Sequence, residues 1–190
     1  MKKSKIYVTL VLLAVIVFIS VYGSRSADDS FVFGKSRVYC AGSVITLKTP
    51  FELAVDGKQS DLSQNNSDSV VAAGSDGNLE ILVFGYKADE NTSPEIILKE
   101  QCELLKTNEN ISDLHLNVGN ATVGNINAHT IDATFNESLK KGNVNLVVKS
   151  YIFQQNKTVW KVIYQYEKNN EVGSLLMNKL DGKITNGFTF

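Results

Sequence analysis

Apolar and polar positions alternate along most of the chain beyond residue 36. The longest such runs, Val144–Phe153 and Thr158–Tyr166, flank the polar stretch Gln154-Gln155-Asn156-Lys157 and predict a hairpin. In its first strand Val144, Leu146, Val148 and Ile152 share one face. In its second, Trp160, Val162, Tyr164 and Tyr166 do. The opposite faces still carry Val147, Tyr151, Phe153, Val159 and Ile163. Neither side is polar throughout, so both should be partly covered, which places this hairpin at the centre of a sheet.

Shorter runs extend the pattern. Ser36–Cys40 and Ser43–Lys48 read as strands around Ala41-Gly42, followed by an alternating stretch at 51–55 and a short strand at Val70–Ala73. Leu79–Tyr86 is apolar on both faces and should be central. Leu114, Leu116 and Val118, and then Ile131, Ala133 and Phe135, alternate with polar neighbours, as in strands with one buried face. Residues 58–69 are polar and without period, which predicts an exposed loop.

Two segments repeat at three and four residues instead. Ser93-Pro94-Glu95 has the cap, first-turn proline and early acid of a helix start, and Ile97, Leu98, Cys102 and Leu105 form a stripe up to about Lys106. After Asn170 a second helix is predicted over about 171–181, with Val172, Leu175, Leu176 and Leu180 on its inner side and Gly182 as the stop. The expected fold class is α+β. A single antiparallel β-sheet would be covered by two helices, about 94–106 and 171–181, and preceded by an N-terminal signal or anchor helix.

That preceding segment is the most specific pattern in the sequence. Lys2, Lys3 and Lys5 stand before an apolar run, Ile6 to Tyr22, interrupted only by Thr9 and Ser20. Positive charge followed by an apolar stretch predicts export, with the charges held on the cytoplasmic side. The run is longer than most cleaved signal cores and at the short limit for a spanning helix, so cleavage and retention both stay open. Residues 1–26 are therefore read as signal peptide or membrane anchor, and 27–190 as one extracytoplasmic α+β domain, anchored at the cell membrane or secreted.

Charge narrows the partners. Four of the 19 basic residues lie in the first 26, leaving 15 against 20 acidic ones, a net of −5. No basic stripe is present, which argues against nucleic-acid binding. The two cysteines, Cys40 and Cys102, would form one disulfide in an oxidising compartment, or remain as two buried thiols.

Candidate chemistry is sparse. His115 and His129 lack Cys or Glu partners at metal-ligand spacing, and no Gly-x-Ser-x-Gly elbow or Gly-rich phosphate loop occurs. Asp56, Asp61, Asp68 and Asp76 do not have calcium-loop spacing and read as turn residues. The expectation is no catalytic residue, no metal and no cofactor.

Ile45-Thr46-Leu47 with Thr49-Pro50-Phe51-Glu52-Leu53, the strand at 127–135, the segment Val159-Trp160-Lys161-Val162-Ile163-Tyr164 and a closing helix give the chain a resemblance to the Mog1/PsbP/DcrB-like group. These features are packing patterns over about 43–188. The resemblance implies a small exported α+β domain, mostly found as a non-catalytic binding or accessory protein, and carries no shared functional residue. The expected function is a non-enzymatic envelope module that binds a protein or envelope component and meets the membrane through residues 6–22 if these are uncleaved. Alternatives are an enzyme with a dispersed site and a subunit that assembles through its N-terminal helix. If one sheet face is bare, Trp160, Tyr164 and Tyr166 form the first candidate binding surface.

Overall fold

In a computed structural model, residues 34–55, 70–140 and 142–187 are described. The apolar run 6–22, the cleavage region and the loop 58–69 lie outside them. Among the described residues, no helix is long and apolar enough to cross a membrane.

Tight turns set the strand order. Ala41 and Gly42 both have positive φ, 47° and 77°, the two-residue hairpin geometry whose twist matches its strands. They join β1 (Gly34–Cys40) to β2 (Ser43–Thr49). After the short β3 (Ala54–Val55) come β4 (Val70–Ser75) and β5 (Glu80–Lys87). The turn between β4 and β5 is held by Asp76, whose Oδ1 accepts from the amides of Asn78 and Leu79, both at 2.9 Å.

Helix α1 (Pro94–Thr107) starts as its sequence predicts. Ser93 caps it, its Oγ accepting from the amide of Ile96 at 3.3 Å, and Ile97, Cys102 and Leu105 are its buried residues. A meander of long strands follows: β6 (Ile111–Val123), β7 (Ile126–Leu139), β8 (Gly142–Gln155) and β9 (Thr158–Glu167). Helix α2 (Glu171–Gly187) closes the fold. The described residues from Lys35 onward belong to one compact unit.

The architecture corrects the expected fold class. The protein is mostly β, with two sheets in place of one: a large sheet in the order β3-β4-β5-β9-β8-β7-β6, and a separate two-stranded sheet, β1-β2. The helices do not cover the large sheet by themselves. Its α1 face carries Phe84, Ile131, Ala133, Phe135, Val148, Ile152, Val159 and Ile163, packed with Ile97, Cys102 and Leu105 of α1. Its opposite face meets the β1-β2 hairpin. There, Cys40 fills the space beside Gly85, and Thr158 Oγ1 donates to the Cys40 carbonyl at 3.0 Å. Alternation along β1 and β2 puts the buried residues Val38, Cys40, Ile45 and Leu47 on one face. It does not tell whether a strand hydrogen-bonds into the main sheet or stacks upon it, because both bury the same side chains.

Helix α2 also differs from expectation. It continues through Gly182 to Gly187, and its inner residues are Leu176, Met177 and Leu180, while Val172 and Leu175 are 51% and 57% exposed. Gly173 explains the rotation. A Cβ there would come within 2.8 Å of Tyr166 Cβ and closer still to the Asn78 carbonyl. The helix therefore approaches the sheet with its glycine foremost and turns Val172 and Leu175 outward. Asn170 holds this end, its Oδ1 accepting from the Gly173 amide at 2.9 Å and its Nδ2 donating to Asn78 Oδ1 at 3.1 Å.

Candidate functional site

Directly opposed residues of an antiparallel pair share a face, so the strand register maps each candidate side chain. Gly85 opposes Trp160, which opposes Phe153. This row lies under the β1-β2 hairpin, and Trp160 and Phe153 are both 0% exposed. The expected binding row is thus corrected. Trp160 and Tyr164 are core residues, and Trp160 lies under a second sheet whose role periodicity could not reveal. Of the three aromatics only Tyr166 is half-exposed. Burial raises the Tyr164 phenol above its ordinary pKa, as expected of a hydroxyl taken out of water.

Two rows further along, the hairpin face opens. Ile81, Tyr164, Lys149, Asp132 and Asn117 stand side by side across β5, β9, β8, β7 and β6. Ile81 and Tyr164 are buried, Lys149 and Asp132 half-exposed, and Asn117 exposed. The adjoining row runs from half-exposed Tyr166 to exposed His115. Lys149 Nζ lies 3.6 Å from Asp132 Oδ1 and 5.8 Å from the centre of the Tyr151 ring. Tyr151 in turn packs edge-on against Tyr164, with ring centres 6.3 Å apart. The result is an open corner of the sheet: an ammonium, a carboxylate, an imidazole and a phenol set on a floor of buried tyrosines. Such a surface offers donors and acceptors of both signs, suited to contact with a polar partner.

Asp132 and Lys149 escaped the sequence reading because they pair only across strands. Their signal was present as polar residues at the same face positions of two predicted strands. Lys161 was also missed. It is 3% exposed under α1, its Nζ 4.2 Å from the centre of the Phe84 ring and 5.6 Å from that of Tyr86, donating to Gln101 Oε1 at 3.1 Å. A lysine within Val159-Trp160-Lys161-Val162-Ile163 marks a position where the ammonium needs aromatic and amide partners.

The histidines do not meet. His115 is exposed on the hairpin face. His129 shares the α1 face with Ile131, where Nδ1 donates to Asn120 Oδ1 at 2.9 Å and Nε2 lies 3.6 Å from Glu95 Oε1. The Ser93 hydroxyl donates to Glu95 Oε2 at 2.8 Å. This hydrogen bond, together with the Glu95 amide and His129, holds the Glu95 carboxyl below its ordinary pKa. Ser93 is spent on capping α1, and the histidine reaches the carboxylate, not the hydroxyl. The order is therefore wrong for base-activated nucleophilic attack. Among the described residues, no group of three His, Cys, Asp or Glu gathers as a metal site.

Cys40 and Cys102 are both free and buried. Cys40 touches the Gly85 side of β5, whereas Cys102 packs on the Phe84 side. Adjacent residues of a strand face opposite ways, so the large sheet separates the two thiols and no Cys40–Cys102 disulfide forms. Burial raises the pKa of both thiols.

The sequence matches no known family and no curated protein. Solved structures align with it at low identity. LpqN of Mycobacterium tuberculosis, described as involved in cell envelope biogenesis, aligns with a TM-score of 0.50 at 12% identity over 83% of this chain and 90% of its own. Protein PA94 of Pseudomonas aeruginosa, of unknown function, aligns with a TM-score of 0.45 at 10% identity over 78% of this chain and 94% of its own. Neither likeness is specific to the Mog1/PsbP/DcrB-like group. What the chain shares with LpqN is its fold.

Proposed function

We propose that the chain is an exported, non-enzymatic domain of the bacterial cell envelope that binds a protein or envelope component. The observation that carries this reading is the lysine-led apolar run at 2–22, the pattern of an export signal. Two further observations support it. LpqN, described as involved in cell envelope biogenesis, has the same fold over 83% of this chain and 90% of its own. The polar side chains of the hairpin face, among them Tyr166, Lys149 and Asp132, form an open corner suited to contact with a polar partner. The binding surface in this reading is that corner, with Tyr166, Lys149 and Asp132 as its contacts. Buried Tyr151 and Tyr164 serve as its floor.

The test is affinity capture with the full-length chain from native membranes. Wild type is compared with Tyr166→Ala and with the charge reversal Lys149→Glu. The expected result is a component recovered with wild type and reduced at least tenfold with both variants, each variant keeping wild-type circular dichroism. Equal recovery with all three proteins would rule out the corner as the binding surface.

A further inference from the structure

The two ends of the large sheet are finished differently. One ends in β3, only 2 residues long; the other ends in β6, with 13. Short edge strands, prolines and lysines are the usual protections against edge-to-edge pairing. β3 has the first of these. β6 contains no proline or lysine, and its only titratable groups are Asp113 and His115. Its bulge lies near its start, between Ser112 and His115, and from His115 to Val123 its register with β7 is unbroken. Asn117, Val118, Asn120 and Thr122 are exposed, with Val118 at 47%. Among the described residues, β6 has no strand partner other than β7.

We infer that β6 pairs antiparallel with β6 of a second copy of this chain, about a two-fold axis at Asn117, so that the two large sheets become one. A two-fold contact must be self-complementary, and this register is. Asn117 is the midpoint of Ile111–Val123, and an axis there pairs residues 115–119, all within the unbroken register, with the same residues of the partner. It sets Leu116 opposite the partner's Val118, and Val118 opposite the partner's Leu116. The exposed valine is thereby covered twice, by apolar cross-strand pairs of the kind that stabilise sheets. On the hairpin face His115 opposes the partner's Gly119, within the stretch whose register is unbroken. No like charges meet. The axis also brings Asn117 and His115 of both copies together, so the open corner of one copy runs on into that of the other.

The test uses the full-length chain in detergent micelles, by light scattering after size exclusion, with two substitutions. The expected protein mass is twice the 20.9 kDa of one chain. Val118→Lys, which installs the usual edge protection at an exposed position, should weaken the dimer at least tenfold with circular dichroism unchanged. Asn117→Cys should give a disulfide-linked dimer on oxidation, whereas Thr122→Cys, five residues from the axis, should not. A monomeric wild type would overturn the inference. So would a dimer that survives Val118→Lys and is not linked through position 117, since that result assigns association to another surface.

Discussion

Asp76 shows how much one side chain decides locally. Burial pushes its carboxyl up, but the amides of Leu79 and Asn78 outweigh that and leave its pKa below the ordinary 3.8. A depressed folded pKa means that the stabilising contribution is complete above the unfolded value and disappears as pH falls through the folded one. Urea midpoints should therefore fall on acidification below about pH 4, and the Asp76→Asn variant, already weaker at neutral pH, should lose less over the same interval. The same slope in both proteins would remove Asp76 from the account. The thiols provide a second test at this scale. Both are buried with raised pKa, which suppresses the reactive thiolate. In the native protein, alkylation of Cys40 and Cys102 should be slow. In denaturant without reductant, both should react at once, adding two labels by intact mass. A protein that accepts no label until reduced would contradict the separation of the two cysteines by the sheet.

Among the elements, α2 gives the clearest contrast. Gly173→Ala places a methyl group against the Asn78 carbonyl and Tyr166 and should cost about 1–3 kcal/mol, as overpacking does. Leu175→Ser, on the exposed side, should stay within about 0.5 kcal/mol. Denaturant midpoints measure both, and the opposite ranking would mean that α2 sits with Leu175 inward. The sequence made the existence of this helix clear but not its rotation. Val172, Leu175, Leu176 and Leu180 fit an apolar stripe, and hydrophobic periodicity gives a glycine no weight. Close backbone approach is what a glycine permits, so Gly173 was the better guide to the inner face. In α1 the signals agreed. Ser93, Pro94, Ile97, Cys102 and Leu105 all pointed the same way, and the helix lies where they place it.

For the whole molecule, strand alternation made nearly every strand legible from sequence and left the arrangement of sheets undetermined. β1 and β2 show the reason. Val38, Cys40, Ile45 and Leu47 bury one face each, whether their strands join the large sheet edge to edge or lie across it. The open corner was hidden for a related cause. Lys149 and Asp132 are 17 positions apart in sequence and come together only through the register of β7 with β8. The row Trp160–Tyr164, by contrast, stood out in sequence and proved to be interior. Aromatic clustering in a central strand reports the thickness of the core before it reports a binding surface.

The central claim is that this domain works outside the cytoplasm. Protease accessibility tests it most directly, on intact spheroplasts of the source cell producing the full-length chain, with a cytoplasmic protein as control. The account predicts that external protease degrades the domain while the control stays intact. A domain protected until the membrane is lysed would contradict it.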